Sequence, residues 1–206
     1  PLVRIMHYGD SQIEGDRMTA FIRNKLQERF GGFGIGLRPA VQPYDFVYTA
    51  EQHHSDNWKR FPLYGKKDSL VVHNKYGAMA AFSRFAPLQG DSLLSARPVN
   101  YSASLSIASA AVAFKRTRFY EHFRLFYGNS RQPVRFRLMA EGNIIGEDIL
   151  QPSVDYGMVE FDLPDSTSVV QLFFEGRDSP DIYGIELASK RGVIMDNIAM
   201  RGSSGL

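Results

Sequence analysis

The sequence predicts an α/β unit that is split by an antiparallel β-sandwich or jelly roll. Three observations carry that prediction. A near-continuous apolar strand, Leu2 to Tyr8, runs into Gly9-Asp10-Ser11 and then into a helical pattern. From about residue 43 to about residue 188 the hydrophobic period is two, the signature of strands. The last apolar run, Gly192 to Met200, returns to the character of the first.

The opening strand is broken by Arg4. Such strands belong to parallel sheets covered on both faces. The helix is read over Ile13 to Phe30. Met18, Phe21, Ile22, Leu26 and Phe30 recur at helical spacing and are expected to form its buried stripe. Glu14 and Asp16 stand in its first turn and Lys25 and Arg29 near its end, which suits the helix dipole. Gly31-Gly32 stops it. The glycine-rich run Gly31 to Gly36 follows a helix and lacks dinucleotide-binding spacing, so it is read as that stop and a loop.

The middle of the chain reads as short strands: Val71 to Phe85, Tyr101 to Ile107, Phe123 to Tyr127, Val134 to Leu138, Met158 to Leu163 and Val169 to Phe174. Turn signals at Gly128-Asn129, Glu141-Gly142-Asn143 and Pro164-Asp165 separate them. Strands at this spacing point to a sandwich or jelly roll. The expected organisation is therefore 1–42 as the first part of an α/β domain, 43–188 as an inserted β-sandwich, and 189–206 as the return to the α/β domain. A structureless connection of that length would be implausible, so the insert is expected to fold on its own.

Composition excludes several classes. Of 206 residues 44% are hydrophobic and 22% charged, enough apolar mass for a core and too little charge for disorder. A net charge of +2 gives no basic footprint for nucleic acid. The absence of cysteine removes disulfides, thiolate metal sites and cysteine nucleophiles. No apolar run approaches the ~18 residues of a membrane span. The chain opens directly on a core strand, and a targeting segment ahead of it is expected.

Ser11 is the central chemical signal. A serine between a buried strand and a helix has an exposed hydroxyl at the end of an α/β strand, where ligands bind, and its own N–H can face an oxyanion. The tripeptide alone is equally compatible with an ordinary helix cap. The wider stretch His7-Tyr8-Gly9-Asp10-Ser11-Gln12-Ile13-Glu14-Gly15-Asp16 closely resembles the first conserved block of SGNH (GDSL-like) hydrolases, a flavodoxin-like α/β family. Asn197-Ile-Ala-Met-Arg-Gly202 matches the spacing of that family's second block. The resemblance covers about fifty residues at the two ends. It implies Ser11 as nucleophile and Gly202 as an oxyanion donor through its backbone N–H. Asp10 and Asn197 are the supporting residues, Asp10 by holding the turn. The family's last block is an Asp-x-x-His pair. None of the five histidines, His7, His53, His54, His73 and His122, has an aspartate three residues before it.

The branch with a sandwich between the first two blocks resembles polysaccharide or peptidoglycan O-acetylesterases and O-acetyltransferases, with inserts like carbohydrate-binding modules. The resemblance implies a carbohydrate or peptidoglycan ester as substrate, no cofactor, and a periplasmic or extracellular setting. Two other readings stay open: a glycan-binding module without catalysis, and an acetyltransferase of the same fold. Trp58, beside Asn57 and Lys59, is the best single candidate for an exposed sugar platform. Asp178, Asp181 and Glu186 are weighed as a stabilising calcium site, without an EF-hand pattern. His53-His54 reads as a surface pair, and no metal site is assigned. Two strands and one helix cover each other poorly, so the flanks are expected to expose apolar faces and to favour a homodimer.

Overall fold

The computed structural model describes residues 1–44, 46–65, 67–88 and 99–200. Strand β1 (Leu2–Gly9) leads through a 3-10 segment over Ser11–Asp16 into α1 (Arg17–Phe30). β2 (Gly34–Arg38), β3 (Ala50–His54), β4 (Lys59–Pro62), β5 (Ala81–Arg84) and β6 (Tyr101–Ser109) follow. The remaining strands are β7 (Tyr120–Ser130), β8 (Val134–Ala140), β9 (Asn143–Leu150), β10 (Ser153–Thr167), β11 (Val169–Gly176), β12 (Asp181–Ala188) and β13 (Gly192–Ala199). Among the described residues α1 is the single α-helix, and the rest is mostly antiparallel sheet.

Two sheets face each other. One has the order β10-β7-β12-β5-β4, with β2 also paired to β12; the other has the order β3-β6-β11-β8-β9. Strands with one wet face alternate, among them β6 and β8. In β8, Val134, Phe136 and Leu138 are buried while Arg135 and Arg137 point outward. The core between the sheets is built from Phe85, Leu105, Ile107, Phe123, Phe136 and Phe174 with their neighbours. The two ends of the chain meet outside this sandwich. β1 and β13 pair in parallel with matched register, His7 opposite Asn197 and Gly9 opposite Ala199.

Three expectations need correction. The apolar stripe of α1 does not face the core: Met18, Phe21 and Phe30 are 50%, 52% and 59% exposed, whereas Thr19, Ala20, Arg23, Asn24 and Gln27 are buried. The reason lies in what the helix covers. Its inner face meets open backbone carbonyls, and polar side chains satisfy them. Gln27 Nε2 donates to Gly34 O and Val193 O at 3.2 Å each, and Arg23 Nε donates to Met195 O. β1, expected to be covered on both faces, leaves Leu2, Val3, Met6 and Tyr8 exposed, because its two-stranded sheet ends with it.

The third correction is Gly34–Arg38, read as loop but forming β2 against β12. Its glycines are what permit the packing. Gly36 has φ +74°, and a Cβ there would stand 2.5 Å from Asp196 Oδ1. In the middle of the chain only Ala81–Arg84 of the Val71 to Phe85 run is a strand.

Candidate functional site: the Ser11 turn

β1 delivers its last residue, Gly9, beside Ala199, and Met200 N–H donates to Gly9 O at 2.8 Å. Asp10 follows in extended conformation as the cap of the 3-10 segment, and its Oδ1 accepts from Gln12 N at 2.9 Å. Ser11 is the first residue of that segment and is exposed. Ile13 is buried, its side chain against Gly9. From the neighbouring strand, Asn197 Nδ2 donates to Ile13 O at 2.9 Å. The turn is thus tied at Gly9, at Gln12 and at Ile13. Asp10 has its carboxylate engaged with the backbone through Oδ1.

A buried polar cluster lies behind the turn. Gly15 and Asp16 both take positive φ, +73° and +60°, and the break separates the 3-10 segment from α1. Arg23 Nη1 and Nη2 reach the two oxygens of Asp16 at 2.9 and 3.2 Å. Thr49 Oγ1 donates to Asp16 Oδ2 at 2.7 Å and accepts from Arg38 Nη1 at 3.2 Å. Burial pushes the Arg38 guanidinium below its ordinary value, with the Asp16 carboxylate opposing the shift. On the other side of β13, Asp196 accepts from Arg4 Nε at 2.6 Å and from Leu37 N at 2.8 Å. Glu186 lies 2.5 Å from Arg4 and 3.0 Å from Arg124. Sequence reasoning missed Arg23, Arg38 and Glu186 as buried ionic residues. The one available signal was their charge on otherwise apolar segments.

Ser11 has no histidine partner among the described residues. His7 Nδ1 is hydrogen-bonded to Thr19 Oγ1 at 2.9 Å, and His54 Nδ1 to Ser55 O. His73 lies 2.9 Å from Asp181, and His122 lies 3.6 Å from Glu160 and 3.9 Å from Asp162. His53 is exposed on β3. Gly202, the implied oxyanion donor, lies outside the described residues.

Trp58 is not a surface platform. It is 7% exposed, donates from Nε1 to Ser104 O at 3.1 Å, and packs edge-on against Phe85 and Phe174 at 5.5 Å each. Its flat faces are consumed by the sandwich core. Asp178, Asp181 and Glu186 do not form a calcium site either. Arg84 binds Asp178 at 2.6 Å and Asp181 at 2.8 Å, while Glu186 serves Arg4 and Arg124 elsewhere. No group of three or more potential metal-ligating side chains occurs among the described residues.

No family model and no curated protein matches the chain. Solved structures do. A peptidoglycan O-acetylesterase structure aligns with a TM-score of 0.55 at 16% identity, covering 98% of this chain and 48% of that one. The chain therefore spans about half the length of that esterase. TmCBM61, solved with β-1,4-galactotriose, aligns at 0.41 with 10% identity over 69% of this chain and 88% of that one. CBM35 from Cellvibrio japonicus Abf62 aligns at 0.34 with 12% identity over 71% of this chain and 99% of that one. At these identities the first likeness shows the fold alone, and the other two are too distant to bear on function.

Proposed function

We propose that this chain carries the nucleophile side of a serine esterase site that acts on ester groups, O-acetyl groups first, of a polysaccharide or peptidoglycan. The supporting observation is the exposed Ser11 at a strand-to-helix turn, held by Asp10 through Gln12 N and by Asn197 through Ile13 O. The resemblance of both chain ends to SGNH blocks supports the same reading.

In this scheme Ser11 Oγ bonds to the ester carbonyl carbon, and the carbonyl electron pair moves to its oxygen. The N–H groups of Ser11 and Gly202 receive that oxyanion. The serine proton passes to a base, and the sugar alkoxide leaves with a proton. Water then releases the acyl group; a sugar hydroxyl in its place gives acetyl transfer. Asp10 is assigned to holding the turn, its Oδ1 accepting from Gln12 N, rather than to the role of base. With none of the described histidines on Ser11, the base comes from elsewhere, and this chain alone turns over slowly.

The test supplies the base. The protein is incubated with p-nitrophenyl acetate, with and without imidazole, and acetylated peptides are located by mass spectrometry. Ser11 is expected to acquire an acetyl group in an imidazole-dependent manner, and p-nitrophenol release is expected to fall in Ser11→Ala. Equal release from the variant, with acetylation scattered over lysines only, would overturn the proposal.

A further inference from the structure

A second cavity is lined by none of the residues of the Ser11 turn. It is a groove of about 670 Å³ on the outward face of the β3-β6-β11-β8-β9 sheet. Its volume falls within the range of small-molecule sites, roughly 300–1,000 Å³. Strand register fixes what lies on its floor. One row crosses the sheet as Ser104, Phe173, Arg137 and Glu147; the next as Ser102, Glu175, Arg135 and Ile149. Phe173 is 37% exposed at the centre of the groove. A ring placed outward on the middle strand of a sheet contributes nothing to the sandwich core, which Phe174 serves from the next position.

The charged groups are arranged unusually. Arg137 pairs with Glu147 across β8 and β9. Glu175 and Arg135 stand directly opposite each other in register, on the same face, yet form no ion pair. Opposite charges at such positions ordinarily attract. Here both present free hydrogen-bonding groups to the groove, with Asp148 and Ser55 at its margin. Two arginines and three carboxylates line it, so the charge is nearly balanced. A nucleic acid or other polyanion needs a cationic surplus, which is absent. The floor is the face of a sheet rather than its edge, so a peptide has no strand to pair with there. A flat ring flanked by planar donors and acceptors suits a ligand with an apolar face and a rim of hydroxyls.

We infer that this groove binds an uncharged oligosaccharide, with one sugar ring stacked on Phe173 and its hydroxyls held by Arg135 and Glu175. The inference rests on the glycan reading above but places the contact on the sandwich, independent of Ser11. The experiment is calorimetric titration of the intact protein with chitotetraose, cellotetraose and β-1,4-galactotetraose, with heparin as the polyanion. At least one neutral tetrasaccharide is expected to bind. Phe173→Ala is expected to weaken it about tenfold, Phe173→Leu nearly as much despite keeping the bulk, and Arg135→Ala to weaken it as well. Ser11→Ala is expected to bind like the parent. Phe173 points outward, so circular dichroism should show these variants folded. Binding of none of the three, binding unchanged in Phe173→Ala and Arg135→Ala, or a preference for heparin would each overturn the inference. Such a result leaves the imidazole-dependent acetylation of Ser11 standing or falling on its own readout.

Discussion

Arg23 and Asp16 meet in a two-pronged ion pair with both side chains almost wholly buried, at 1% and 2% exposure. Arg23 also donates from Nε to Met195 O on β13. One side chain therefore ties α1 to the Ser11 turn and to the strand beside it. Asp16 holds the left-handed conformation at which the 3-10 segment gives way to the helix. The pair is less a source of net stability than a device that fixes where the turn sits, because both charges were desolvated to make it.

Arg23→Ala leaves the Asp16 carboxylate buried without its main partner. Removing one member of such a pair costs about 3–5 kcal/mol. Urea unfolding of the variant is expected to show a loss in that range, and Arg23→Met combined with Asp16→Asn, which removes the second charge and tolerates the left-handed backbone at that position, is expected to recover part of it. A cost under about 1 kcal/mol for Arg23→Ala would mean that the pair is relaxed by water in solution.

The sandwich was legible where one face is buried and the other wet. Val134 to Leu138 and Tyr101 to Ile107 alternate in sequence and in burial. β12 was missed for the opposite reason. All eight of its residues are buried, including Asp181 and Glu186, so no period marks it. β2 hid behind its glycines. The helix was placed well and oriented wrongly. Periodicity locates an apolar stripe but does not say what the opposite face must satisfy, and here Arg23 and Gln27 answer to carbonyls of β13 and β2. At the candidate site, the parallel pairing of β1 and β13 brings the two ends of the chain side by side, and Asn197 reaches Ile13 O, two residues past Ser11.

Asn197 is expected to act on Ser11 through Ile13. Its Nδ2 holds the carbonyl that shapes the 3-10 turn. Asn197→Asp replaces that donor with a carboxylate facing a carbonyl. The expected loss is about 1–3 kcal/mol of stability, together with slower imidazole-dependent acetylation of Ser11. Acetylation at the parental rate in a folded Asn197→Asp protein would show that the turn does not depend on this bond.

Trp58 is the single tryptophan of the chain and reports on the sandwich core. Its burial between Phe85 and Phe174 predicts blue-shifted emission that acrylamide quenches poorly. Trp58→Ala is expected to cost about 3–5 kcal/mol. Trp58→Phe keeps the ring contact, loses the bond to Ser104 O, and is expected to cost about 1 kcal/mol. Exposed-type emission in the folded protein would contradict the burial.

His122 on β7 makes stability depend on pH near neutrality. Burial depresses its pKa first, and the Arg124 guanidinium adds to the effect; Glu160, Asp162 and Glu186 pull the other way and do not reverse it. The folded value therefore lies below the unfolded value of about 6.5. In the interval between them the unfolded chain holds more protons than the folded one, so stability falls as the pH falls. The contribution is fully present above about pH 7, declines as the pH drops through the depressed folded value, and changes no further below it. Urea midpoints measured between pH 8 and pH 5 are expected to drop in the parent and to drop less in His122→Gln, whose side chain does not titrate. Carboxylates, including Asp181, whose pKa burial raises, are present in both proteins, so the difference between the two slopes carries the His122 contribution. Identical slopes for the two proteins would show that His122 takes up its proton as readily in the folded chain as in the unfolded one.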